Sequence, residues 1–208
     1  MWQYVRDEDT TVSLLQGTIL DTFDNTAMHP DLRALVVFAD PSLHRSRISR
    51  RVADAAAGLP GVQVRDLYQL YPDLYIDVRR ERALLLDAPL VVFVFQLAWY
   101  AMPALLKEWF DTVLKPEWAR PDGRLAGKGV FAAVACNSRL VDYGPGGAHG
   151  RPLDDFLVPL QQTALACGMR WLPPHVFYGA DHPDEHAAER HAGALRALLA
   201  TAGDLHGT

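Results

Sequence analysis

Strands buried on both faces read as unbroken apolar runs, because helices cover the sheet above and below. Three such runs punctuate this chain: ALVVFA at Ala34 to Ala39, VVFVF at Val91 to Phe95, and KGVFAAVAC at Lys128 to Cys136. Between them the pattern changes to helical spacing. After the loop Gln96 to Tyr100, for example, Leu105, Leu106, Trp109, Phe110 and Val113 share one face, with Lys107, Glu108 and Asp111 around it. Pro103 suits the first turn of that helix, where a missing N–H costs nothing. A shorter strand is predicted at Val62 to Arg65, ending at Asp66, and a fifth within Arg170 to Tyr178, broken by Pro173 and Pro174. Further helices are predicted over about Ser46 to Ala57, Val78 to Asp87, Leu153 to Cys167, and from Pro183 onward. Five strands alternating with helices make a doubly wound α/β sheet, with strand order 2-1-3-4-5 as the expectation.

In such a sheet the loops after the strands gather at its carboxyl edge, where ligands bind. Trp99 and Tyr100 lie in one of these loops and suit a planar ligand; the bland alternative is that both anchor the loop onto the core. Ser46 is a good N-cap, and the helix it opens carries Arg47, Arg50 and Arg51, with His44 and Arg45 just before. First-turn amides of a helix at this edge form an anion site; the same residues also fit an ordinary capped, basic surface helix.

Composition narrows the classes. The chain has 208 residues, half of them hydrophobic and 22% charged, which is a globular composition able to bury one substantial core. A net charge of −5 argues against a general nucleic-acid binder. Two cysteines, Cys136 and Cys167, supply no disulfide framework, and a reducing cytoplasm is the expected compartment. No apolar run reaches membrane-spanning length, and the acidic, polar start MWQYVRDEDTT is unlike a secretory signal. His182, His186 and His191 with Asp181 and Glu185 are read as a solvated helix start, because no third ligand completes a metal site. No metal is expected.

The stretch Val91 to Trp118 resembles the NAD(P)H:quinone oxidoreductases, and within them the ancillary oxidoreductases of glutathione-regulated potassium-efflux systems. Trp99, Tyr100, Pro103, Leu105, Leu106, Lys107 and Trp109 carry the likeness, with LYQLYPDLYID (Leu67 to Asp77) and WLPP (Trp171 to Pro174) as further family-like segments. The resemblance runs from about Ala34 to about Tyr178. It implies a flavodoxin-like domain over residues 34–208, preceded by an added N-terminal arm, residues 1–33.

That resemblance also implies a chemistry: hydride passes from NAD(P)H to a flavin, FMN before FAD, and on to a quinone or similar flat acceptor by ping-pong turnover in one shared slot. Ser46, Arg47, Ile48 and Ser49 would hold the flavin phosphate. Leu97, Ala98, Trp99 and Tyr100, with Cys136, Asn137 and Ser138, would contact the ring. Tyr143 and His149, six residues apart in a loop ending Gly147–Ala148–His149–Gly150, would assist the hydride step. A homodimer is implied, and a membrane-transporter partner by analogy alone.

Several positions depart from the family pattern. Asp40 stands where a His is usual, beside the expected phosphate. A carboxylate about 6 Å from a phosphate opposes it by about 3 kcal/mol at an effective dielectric near 20. Gln96 replaces a Pro, Ala98 a polar residue, and Cys136–Asn137–Ser138 a glycine-rich turn that approaches the ring. Glycine permits close approach and positive φ, which serine does not readily adopt. These departures sustain a second reading: a flavodoxin-like protein with weakened flavin binding. Such a protein would use Tyr143, His149 and Asp40 for proton transfer on an aromatic or polyketide-like substrate, or serve as a regulatory binding protein.

Overall fold

The computed structural model describes residues 29, 31–41 and 47–201. Its centre is a parallel sheet in the order β2-β1-β3-β4-β5, with β6 also pairing with β4. The strands are β1 (Ala34–Ala39), β2 (Val62–Asp66), β3 (Leu90–Gln96), β4 (Gly129–Cys136), β5 (Arg170–Trp171) and β6 (His175–Tyr178). The predicted order therefore stands. Pro173 and Pro174 split the predicted fifth strand into β5 and β6, as residues without a ladder N–H must.

The helices are α1 (Arg47–Ala56), α2 (Leu67–Leu70), α3 (Val78–Asp87), α4 (Ala104–Val113), α5 (Asp154–Ala166) and α6 (Glu185–Thr201). Alternation along the central strands explains why their runs are uniformly apolar. Leu35, Val37, Val91, Phe93, Phe95, Val130, Ala132 and Val134 face a core built with α3, α4 and α5. Their neighbours Val36, Phe38, Val92, Val94, Phe131 and Ala133 face a second core built with α1 and α6. Among the described residues no helix is long and apolar enough to cross a membrane. The predicted arm, residues 1–33, lies almost wholly outside the described residues.

Some local details differ from the sequence reading. Pro103 is the cap residue ahead of α4 rather than part of its first turn. The segment after β2 is not all loop: Asp66 caps α2 by accepting from the Gln69 amide. Beneath it a charged pair is buried. Arg65 of β2 reaches Glu81 of α3 through Nε at 3.0 Å and Nη2 at 2.7 Å.

On the opposite core face, His175 of β6 and His191 of α6 stack with ring centroids 3.8 Å apart and planes 13° apart. His175 Nε2 lies 3.0 Å from the His191 carbonyl, so this nitrogen carries the proton and donates. His191 thus departs from the expected solvated row formed with His182 and His186. Burial lowers both pKa values, His191 to about 4, with the neighbouring His175 adding to its shift. Since an unfolded histidine titrates near about 6.5, the unfolded chain binds more protons between about pH 6.5 and 4. Stability contributed by the neutral pair is present above that window and lost as pH falls through it. Melting temperature measured against pH should decline across this range, and His191→Leu should flatten the decline; an unchanged slope would contradict the linkage.

Candidate active site

At the carboxyl edge of the sheet a cleft of about 780 Å³ opens between the loops after β1, β3, β4 and β6. Asp40, Arg47, Gln96, Trp99, Asn137 and Asp181 are among its lining residues. Of the expected phosphate-holding residues, Ser46 lies outside the described residues. Arg47 opens α1 at the cleft wall, Ile48 packs in the core below, and Ser49 is 2% exposed with an Oγ that finds no protein partner. A buried hydroxyl without a partner is costly, so an orphan in the first turn of a helix fits an anion ligand there. Asp40 is buried on the same wall, and Arg47 lines the cleft with it.

The loop after β3 is a tight two-residue turn. Ala98 and Ala101 exchange backbone hydrogen bonds of 3.2 and 3.1 Å, and the central residues Trp99 and Tyr100 have φ of 51° and 64°. Left-handed backbone at two aromatic residues costs roughly 1–3 kcal/mol each, where Asn-Gly would be the relaxed choice. The strain holds Trp99 outward, 92% exposed, at the mouth of the cleft. The amides of Leu97 and Ala98 are committed internally, to Ala135 and Ala101. A ligand at this edge therefore has the Trp99 and Tyr100 amides to use. Leu97 itself is buried in the core.

The glycine-free turn after β4 carries no comparable strain. Among the described non-glycine residues only Leu74, Trp99 and Tyr100 have positive φ, so Asn137 and Ser138 sit in ordinary backbone. Cys136 is buried, its Sγ within 3.5 Å of the Phe177 carbonyl, and burial raises its pKa. It is a core residue, not an exposed thiolate. The Ser138 carbonyl accepts from the Gly179 amide, tying this loop to the one after β6.

Tyr143 and His149 come together in the loop after β4, and Tyr100 joins them. The Tyr143 and His149 rings are 4.5 Å apart, and the Tyr100 hydroxyl is 3.3 Å from His149 Nδ1. Phe156 of α5 and Tyr178 of β6 close the cluster behind, at 4.9 Å from Tyr100 and 5.6 Å from Tyr143. Gly147 is required here. The loop folds back so that the His149 amide donates to the Asp142 carbonyl at 2.9 Å, and a Cβ on residue 147 would meet that carbonyl oxygen at 2.5 Å. Burial, with Cys136 alongside, pushes the Tyr143 phenol well above its usual range, so it stays a protonated donor. His149 Nε2 is buried and has no protein partner. Neither Tyr143 nor His149 is among the residues lining the cleft; Tyr100, beside Trp99 in one turn, links the cluster to it.

The family model for the flavodoxin-like fold matches residues 33–201. The chain belongs to this family. A glutathione-regulated potassium-efflux system ancillary protein, KefF of Klebsiella aerogenes, is 38% identical over 167 residues, covering 79% of this chain and 93% of that one. A general stress protein 14 from Treponema denticola, solved in complex with FMN, superposes with a TM-score of 0.73 at 29% identity, covering 82% of this chain and 99% of that one. An NADPH-quinone reductase from P.pentosaceus gives a TM-score of 0.73 at 25% identity, covering 81% and 98%.

The sequence alone did not single out Asp181, Ala180 and Pro183 as cleft residues. The available signal was positional: they follow the last strand at the same edge as the other ligand loops. Nor did it show that Tyr100 bonds to His149, 49 residues away, since nothing local encodes that contact.

Proposed function

We propose that this protein is a flavin-dependent oxidoreductase that takes hydride from NAD(P)H and delivers two electrons to a quinone or similarly flat acceptor. The observation that carries the reading is the Tyr100–His149–Tyr143 cluster joined to the strained aromatic turn at the cleft mouth. The FMN complex of the stress-protein neighbour and the quinone reductase neighbour support it.

FMN is the cofactor the residues fit. Arg47, Ser49 and the first-turn amides of α1 would hold its phosphate, and the turns Leu97–Tyr100 and Cys136–Ser138 would hold its ring. When bound, it supplies reversible two-electron chemistry that no side chain offers. The protein's own residues then have three tasks. Trp99 walls a flat slot and excludes water from one side of it. Tyr143, held protonated, donates a hydrogen bond toward negative charge that develops at the rim of the slot. His149, oriented by Tyr100 at Nδ1, keeps Nε2 for a proton delivered to the reduced acceptor.

One slot serving donor and acceptor in turn requires ping-pong kinetics. Initial rates measured across NADPH and a benzoquinone should give parallel double-reciprocal lines; intersecting lines would overturn the shared slot. The exposed apolar side chains Tyr75, Trp99, Leu140 and Val141 favour a second copy of the chain covering this edge. The cytoplasm is the compartment that supplies the reduced nicotinamide. The alternative, a flavin-free acid–base enzyme, needs Asp40 to act with Tyr143 and His149. Asp40 lines the cleft while the other two meet it only through the Trp99–Tyr100 turn, so the three groups do not converge on one point.

A further inference from the structure

One pair of side chains in the cleft is joined across two neighbouring strands. Gln96, the last residue of β3, and Asn137, the first residue after β4, rise from adjacent strands at the carboxyl edge. Gln96 Nε2 donates to Asn137 Oδ1 at 2.6 Å, bridging the loop that carries Trp99 to the loop that carries His149. Both residues line the cleft.

The chemistry of two joined amides is definite. Each has one carbonyl and one NH₂ group. Their mutual bond uses one of the two Gln96 N–H groups and one lone pair of Asn137 Oδ1, leaving Gln96 Oε1 wholly open as an acceptor and both N–H groups of Asn137 Nδ2 as donors. Turning both amides over exchanges the roles but still leaves an open carbonyl beside an open NH₂ group. Among the described residues neither of these remaining groups bonds to the protein, and both belong to residues on the cleft wall. An acceptor beside a donor is the complement of a ring edge that carries C=O next to N–H.

We infer that the Gln96–Asn137 pair is a recognition element for the cyclic imide edge of a flat heteroaromatic ligand, selecting rings with an N–H between carbonyls over rings without one. The inference rests on the flavin reading, because the imide edge of the isoalloxazine ring is the group that matches. It extends that reading by naming the positioning residues. Both side chains are reached by solvent, so their replacement leaves the core intact, and the ordinary backbone of Asn137 makes its role one of side chain rather than strain.

The test compares FMN with its N3-methyl analogue, in which the imide N–H is gone, by quenching of flavin fluorescence on binding. The full-length parent should prefer FMN by about tenfold, the worth of one hydrogen bond. Gln96→Leu and Asn137→Leu, each checked by an unchanged melting temperature, should bind the two compounds within about twofold of each other. Their bound FMN should also show a shifted midpoint potential, because the hydrogen bonding of the imide edge differs. A parent that binds FMN with the same preference as both variants overturns this inference alone. A parent that binds neither compound removes the flavin reading and this inference together.

Discussion

Glu81→Ala is expected to destabilise the protein by about 3–5 kcal/mol, the largest effect of any single change considered. Glu81 is 0% exposed and its carboxylate accepts four hydrogen bonds. Oε1 accepts from Arg65 Nε, Arg65 Nη2 and the Tyr71 hydroxyl, the last at 2.7 Å, and Oε2 accepts from Trp109 Nε1 at 3.1 Å. Burial works against the charge of Arg65, but the Glu81 carboxylate and its hydrogen bonds outweigh it and the guanidinium pKa rises. Burial together with Glu81 pushes Tyr71 up to about 12. Removing the carboxylate leaves a buried cation and two buried donors without partners. At roughly 2–4 °C per kcal/mol for a domain of this size, the melting temperature should fall by about 6–20 °C. The double variant Arg65→Leu/Glu81→Leu should lose less than Glu81→Ala, because no unpaired charge remains. A fall under about 2 °C in Glu81→Ala would show that the pair is dispensable.

The second large effect falls on turnover. His149→Ala should lower the rate with a quinone on the order of 10²-fold while FMN content stays near that of the parent. The imidazole is fixed from one side by Tyr100 and packed at a tilt of 38° against Tyr143, yet its Nε2 is buried with no protein partner. A buried nitrogen left open costs about 1–3 kcal/mol, and such groups persist where a ligand or a proton uses them. Tyr143→Phe should be milder, since it removes a donor without removing the proton carrier. Equal quinone turnover in His149→Ala and parent would strip His149 of the role assigned to it. A proportional loss of FMN and rate would reassign it to cofactor binding.

How much of this was legible beforehand differs by physical scale. The central strands follow from runs such as ALVVFA and VVFVF, where burial on both faces overrides strand alternation and leaves a signal no surface segment imitates, while their order was the usual one for strands alternating with helices. Helix bounds were readable to within one or two residues wherever periodicity was strong, as in α3 and α4. The short helix α2 was hidden because four residues are too few to show a period, and only its Asp66 cap marks it. The Arg65–Glu81 pair was illegible for a different reason. Charged residues in a strand and a helix read as surface positions, and only tertiary packing brings this pair together, 16 residues apart, under cover. At the site, spacing alone placed Tyr143 and His149 in one loop, while the bond from Tyr100 and the bridge from Gln96 to Asn137 depend on strand register. The loss of glycine after β4 looked severe in sequence, but Asn137 and Ser138 prove to need no positive φ.

On the proposed function, the cleft at the carboxyl edge binds a flavin and passes hydride from NAD(P)H through it. Anaerobic titration of the purified, FMN-supplemented protein with NADPH tests it directly. Visible flavin bands should survive desalting, bleach on stoichiometric NADPH, and return when a quinone is added. Protein that emerges colourless after incubation with FMN, or coloured protein whose bands NADPH leaves untouched, would contradict it.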